Sequence, residues 1–170
     1  MLFPGVEELD LVGPWEMIGM WAKVGEGPDE RLLLAETKEP VHCAKGMIVA
    51  PHMTLAECPP LDYLLVPGGE GASDAAGTEG LVRFVSERAK ECKAVLSVCT
   101  GSLLLQRAGL LSGRQATTHW TKLDQLRSFP EVRVVEERFT EDGCVWTSAG
   151  VSAGIDMTLA FIARVAGEAI

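Results

Sequence analysis

The segment Ser97-Val-Cys-Thr-Gly-Ser102 carries the sharpest chemical signal in the sequence. Ala94-Val-Leu-Ser-Val98 predicts a buried strand, and Ser102-Leu-Leu-Leu-Gln-Arg-Ala108 predicts a helix stopped at Gly109. Cys99 therefore falls in a Cys-x-Gly turn between strand and helix, the setting of a nucleophile elbow with cysteine in place of serine. Such a turn presents Sγ at the carboxyl end of the sheet and aims it at helix N-terminal amides, which favour the thiolate. On this basis Cys99 is expected to be alkylated before the other four cysteines. Gly101 permits the close backbone approach that the turn requires. The competing reading, a buried thiol packed as a small hydrophobe, is preferred for Cys43, Cys58, Cys92 and Cys144.

Two further segments lead to the same end of a sheet. Pro67-Gly-Gly-Glu-Gly71 follows the strand Leu64-Leu-Val66, where ligands bind in open α/β sheets, and amides at Gly68 and Gly69 could face a developing anion. Alone, such a loop is more often only a turn. In Glu7-Glu-Leu-Asp-Leu-Val-Gly-Pro14 a carboxylate precedes the first helix, and Asp10 is flanked by Leu9 and Leu11. Partial desolvation would raise its pKa into the range useful for proton transfer, whereas an exposed capping acid is the plainer alternative. Glu16 is the rival acid, equally suited to the helix dipole. His119 ends a short strand 20 residues after Cys99. It fits either a cysteine–histidine dyad or a structural hydrogen bond beside Trp120.

The elements that must position these residues alternate. Pro14 suits a first helical position, with a helix running to about Val24. Arg31–Glu36 reads as a strand, Val41–Cys43 and Met47–Ala50 as a hairpin around Lys45-Gly46, and Leu81, Val82, Phe84, Val85 and Ala89 as one helix face. Lys122–Phe129 reads as a helix and Val132–Val135 as a strand, and Asp142-Gly143 marks a hairpin turn. A last helix begins near Gly154 with Ile155, Leu159, Ile162 and Ala163 on one face. Strand and helix in alternation predict an α/β fold with a mainly parallel sheet covered on both faces.

With 170 residues, 47% of them hydrophobic, the chain is expected to form one domain without disulfides or metal. Only turn-sized breaks occur, at Gly25–Pro28 and Cys58–Pro60. A net charge of −9 is the wrong sign for neutralising phosphates, so no nucleic-acid partner is expected. No apolar run approaches the ~20 residues of a membrane span, and the first residues lack the blocks of a signal peptide; the expected location is the cytoplasm. Five scattered cysteines without a Cys-x-x-Cys pair argue against a disulfide framework. His42, His52 and Cys58 fit no metal-ligand spacing.

Taken together, Leu2–Pro14, Val66-Pro-Gly-Gly69, Ser97–Ser102, Ala116-Thr-Thr-His-Trp120 and Thr147–Asp156 resemble the ThiJ/PfpI superfamily, and within it the isonitrile hydratase branch. The resemblance runs almost end to end. It implies a flavodoxin-like three-layer sandwich shared with class I glutamine amidotransferases, usually a homodimer, with a small-molecule substrate and no cofactor. It also implies a first strand and a C-terminal helix shortened relative to the family. Carried over by position, it makes Cys99 the nucleophile, Asp10 its paired acid, Thr100 a neighbour that shapes the site and Gly69 a backbone donor near the sulfur. The protease-like branch has His where Thr100 stands, and the deglycase-like branch usually has Glu at the Asp10 position, so both departures point away from those activities. The motifs also resemble the sensor module of AraC-type regulators, which join it to a helix-turn-helix domain not expected within these 170 residues. Three functions follow: isonitrile hydration, deglycase or glyoxalase-like action on reactive carbonyls, and non-catalytic ligand or redox sensing.

Overall fold

The computed structural model describes residues 1–25, 27–73 and 77–167; of the expected Gly25–Pro28 turn, Glu26 lies outside the described residues. The first helix, α1 (Glu8–Val24), is followed by the short strands β1 (Leu34–Ala35), β2 (Val41–His42), β3 (Ile48–Val49) and β4 (Met53–Thr54). Next come β5 (Tyr63–Val66), α2 (Glu70–Ser73), α3 (Glu79–Arg88), β6 (Ala94–Val98), α4 (Gly101–Arg107) and β7 (Gln115–Ala116). A 3-10 turn over Trp120–Lys122 leads into α5 (Leu123–Arg127), then β8 (Arg133–Val134), β9 (Phe139–Asp142), β10 (Val145–Ser148) and α6 (Ser152–Ala166).

The main sheet has the order β5-β6-β10-β9. β5 and β10 run parallel to β6, and β9 closes the edge antiparallel to β10. All five residues of β6 are buried, as expected of a strand covered on both faces. The pleat divides them: Val95 joins a cluster with Leu81 and Val85 of α3 and Leu103, Leu104 and Leu105 of α4. Leu96 and Val98 join the opposite cluster with Trp21 of α1 and Met157, Phe161 and Ile162 of α6. Three layers result, α1 and α6 on one side of the sheet and α3 and α4 on the other. Edge-on contacts of Phe161 with Tyr63, Trp21 and Trp146, centroids 5.1–6.5 Å apart, bind α1, the sheet and α6 together.

Several sequence expectations need correction, among them the short strand expected to end at His119, which as β7 ends three residues earlier at Ala116. α1 begins at Glu8, so Asp10 lies in its first turn and Pro14 sits inside the helix, not at its start. Glu8 and Asp10 suit the positive end of the helix dipole, and Pro14 has no N–H to give to the carbonyl of Asp10. α6 starts two residues before Gly154. Its buried face is Ala153, Gly154, Met157, Thr158, Phe161 and Ile162, rotated from the expected stripe because Phe161 turns into the aromatic cluster, which leaves Leu159 49% exposed. The strand expected over Arg31–Glu36 is paired only at Leu34–Ala35, parallel to β4. The hairpin at Lys45-Gly46 forms as expected, whereas Asp142 pairs with Val145, so the β9–β10 turn falls on Gly143-Cys144, one residue later than expected, with Gly143 at φ +64°. Among the described residues, no helix is long and apolar enough to cross a membrane.

Candidate active site

Cys99 stands between β6 and α4 in the left-handed region, at φ +56°. A non-glycine residue held there costs about 1–3 kcal/mol, which the surroundings must offset. Here they do so through its backbone. The Cys99 amide donates to the Ser148 carbonyl at 3.0 Å, and its own carbonyl accepts the hydroxyls of Ser102 and Thr118, each at 3.1 Å. Gly101 is required for the turn: a Cβ there would lie 2.3 Å from the Val66 carbonyl oxygen.

The side chain of Cys99 is 8% exposed and faces Asp10, which is fully buried. Asp10 Oδ2 accepts the Gly68 amide at 3.1 Å and Oδ1 accepts the Val151 amide at 2.9 Å. Burial pushes the Asp10 carboxyl up to about 6, against the pull of these two amides and of the Cys99 thiol. Burial, reinforced by the Asp10 carboxylate, pushes the Cys99 thiol up to about 12. At neutral pH the shared proton therefore sits on sulfur, and Asp10 is the ionised partner. This corrects the expectation of a helix-activated thiolate: desolvation and the nearby carboxylate outweigh the amides at the start of α4.

Glycines bring the loops together. A Cβ on Gly68 would lie 2.7 Å from Cys99 Cβ and 2.8 Å from Asp10 Oδ2, so only glycine lets β5's end close on the pair. Gly69 (φ +133°) abuts the backbone of residues 5–7, and a bridge joins Val6 to Gly69. Its amide, expected near the sulfur, donates instead to Thr100 Oγ1 at 2.9 Å, and that hydroxyl donates back to the Gly69 carbonyl at 3.0 Å. Thr100 thus staples the glycine loop to the start of α4.

A model of the DJ-1/PfpI family matches residues 1–164. The chain belongs to that family. An isonitrile hydratase of Pseudomonas putida is 37% identical over 168 residues, 98% of this chain and 71% of that protein. The HTH-type transcriptional regulator CdhR of Pseudomonas aeruginosa is 32% identical over 98% of this chain but 50% of its own length. A ThiJ/PfpI family protein of Pseudomonas syringae superposes with a TM-score of 0.83 at 35% identity, covering 96% of this chain and 66% of that one. The chain thus spans between half and about seven tenths of these relatives.

Within the DJ-1/PfpI architecture, Cys99, Asp10, Thr100, Gly68, Gly69 and Gly101 lie together, but the Gly68 and Gly69 amides, expected to face a developing anion or the sulfur, are bonded to Asp10 and Thr100 instead, and Glu16 stands apart. It lies on an exposed part of α1, nearly two turns beyond Asp10. His119 stands at the rim. Its Nδ1 lies 2.8 Å from Thr121 Oγ1, and its Cδ2 and Cys99 Sγ flank the space above Gly150, each within 3.3 Å of where a Cβ would sit. His52 is engaged elsewhere, accepting the Leu33 amide at 3.1 Å, and His42 is exposed. Among the described residues no cluster of three His, Cys, Asp or Glu side chains is arranged to hold a metal ion.

Gly150 and Val151, which precede α6, carried no role in the sequence beyond membership of the Thr147–Asp156 motif. Val151 also has positive φ, +47°, an uncommon state for a β-branched residue, and that conformation presents its amide to Asp10. Thr118 and Ser148, quoted only within longer motifs, prove to be supports of the Cys99 backbone.

Proposed function

We propose that this chain hydrates small isonitriles to N-substituted formamides, with Cys99 as nucleophile and Asp10 as the group that moves protons. The observation that carries the reading is the buried thiol–carboxylate pair, with its proton on sulfur and its carboxylate ionised near neutrality. The 37% identity to an isonitrile hydratase supports it.

An isonitrile carbon is carbene-like, so it accepts a nucleophile and a proton at the same atom. As the S–C bond forms, Asp10 takes the proton from Sγ and delivers it to that carbon, giving a thioimidate, R–N=CH–S. Water then adds to the carbon; Asp10 removes one of its protons and passes it to nitrogen. The C–S bond breaks, the hydroxyl proton returns to sulfur through Asp10, and R–NH–CHO leaves. One water is consumed and no metal or organic cofactor is needed. Thr100 acts by fixing the glycine loop against the pair.

A homodimer in the cytoplasm is part of the proposal. α1 and α6 carry the exposed apolar side chains Met20, Val24, Leu159 and Val165, a surface that a second copy can cover. Ligand sensing is the second reading, favoured by the 32% identity to a transcriptional regulator.

Incubation with alkyl and aryl isonitriles and, separately, with methylglyoxal decides among these readings, with Cys99→Ala as control. Formamide that disappears in Cys99→Ala supports the hydratase. Lactate from methylglyoxal with intact isonitrile supports the glyoxalase-like alternative, and no turnover of either supports a sensor.

A further inference from the structure

Trp120 is 74% exposed, whereas Trp21 and Trp146 are buried and Trp15 is half-buried. The backbone that leads to it is anchored beside the sulfur. Two residues earlier, Thr118 Oγ1 donates to the Cys99 carbonyl, and the Thr117 amide donates to Thr147 Oγ1 at 2.8 Å. One residue earlier, His119 caps the 3-10 turn through Thr121, and the indole lies against the imidazole with centroids 5.6 Å apart. The imidazole in turn borders the space beside Cys99 Sγ. The chain thus runs from a bond on the nucleophile's own backbone, through a capped histidine, to an indole standing in solvent.

We propose that Trp120, backed by His119, is a specificity-determining residue that receives the carbon substituent of the substrate, favouring aryl over small alkyl groups. The proposal rests on the isonitrile reading and deepens it. The thioimidate R–N=CH–S is bent at its carbon, so R lies beyond the nitrogen and projects to one side of the S–C bond, toward whichever side of Cys99 is open. Gly68, Asp10 and Thr100 crowd the inner side of Cys99, and the Gly68 amide and both polar atoms of Gly69 are already bonded. The side toward Gly150 carries no side chain of that residue and is bordered by the His119 ring, against which the indole lies, so a substituent directed there meets the imidazole and then the indole. An aromatic substituent there gains ring contact with a preorganised partner, and methyl is too short to do so.

The test compares phenyl and methyl isonitrile on wild type, Trp120→Ala and Trp120→Phe. Because the indole is mostly in solvent, truncation does not threaten the fold. The expected result is that the phenyl-to-methyl ratio of kcat/KM falls roughly tenfold in Trp120→Ala, through KM for the phenyl substrate, with Trp120→Phe keeping most of the preference. Equal losses for both substrates, or an unchanged ratio, overturn the proposal. Titration with N-phenylformamide and N-methylformamide, followed by NMR, needs no turnover. Tighter binding of the phenyl compound that is lost in Trp120→Ala upholds the aromatic wall even if no isonitrile is consumed, a result that would defeat only the functional reading. No such difference in binding overturns the wall itself.

Discussion

The amide of Val151 donates to Asp10 Oδ1 at 2.9 Å across 141 residues of sequence, and with it the turn before α6 becomes one wall of the carboxylate's pocket. The opposite oxygen is held by Gly68 at 3.1 Å. Two amides fix the carboxylate without discharging it, and its remaining capacity is directed at the Cys99 thiol. The balance of burial against these bonds sets both the chemistry and its dependence on pH.

In the proposed mechanism activity depends on ionised Asp10, whose carboxyl is pushed up to about 6. Below that value the carboxyl is protonated and cannot take the thiol proton, so kcat/KM falls by about tenfold per pH unit. Above it the profile is flat through the neutral range, because Cys99 stays protonated until about 12. A pH–rate profile that instead rises near pH 8 would place the activating ionisation on the thiol.

The same displacement is a statement about stability. The folded-state value lies above the ordinary 3.8, so folding favours protonated Asp10; its contribution is complete below pH 3.8 and lost as pH rises through about 6. The displacement corresponds to about 3 kcal/mol. Asp10→Asn does not titrate, so its stability relative to wild type rises by up to that amount between pH 3.8 and 6, read from denaturant melts at several pH values. The constant offset from an Asn amide facing one of the two backbone donors does not affect this slope. A pH-independent difference contradicts the burial argument.

Thr118→Val keeps the shape of the side chain and removes one of two hydroxyls on the Cys99 carbonyl. The expected cost is about 1 kcal/mol, a melting temperature lower by roughly 2–4 °C. Ser102→Ala removes the other hydroxyl, and the double variant should lose more than the sum of the singles, since only then is the carbonyl without a hydroxyl donor. Thermal melts of the three variants check this.

Alkylation order reports where the proton is. Cys144 is exposed, whereas Cys99 is buried with its thiol pushed up. Limiting iodoacetamide at pH 7 should therefore label Cys144 first, as read by peptide mapping. Labelling of Cys99 ahead of Cys144 would put the proton on Asp10.

What was legible in the sequence was local. A buried apolar run, a Cys-x-Gly turn and a helical run place Cys99 without any knowledge of distant contacts, whereas the flanking leucines left Asp10 open between a desolvated acid and an exposed cap, and its full burial decides for the first. The state of the thiol was not legible, because it depends on a carboxylate 89 residues earlier in the chain and on a burial that only the closed loops create. Nor was the Val151 amide, whose role follows from a backbone angle that no residue type there signals. The face of α6 was misread because Ile155 and Leu159 repeat at helical spacing as well as Met157 and Phe161 do, and only the aromatic partners on α1 and the sheet decide between them.

The role proposed for Asp10 is to move the protons for addition of Cys99 to an isonitrile carbon. Its most direct test is the rate of formamide production by wild type and Asp10→Asn at pH 7, followed by proton NMR of the formyl hydrogen, with Cys99→Ala as the blank. Formamide is expected from wild type, none above background from Cys99→Ala, and a rate from Asp10→Asn lower by roughly 10²–10⁴-fold. Turnover by Asp10→Asn at the wild-type rate would contradict that role.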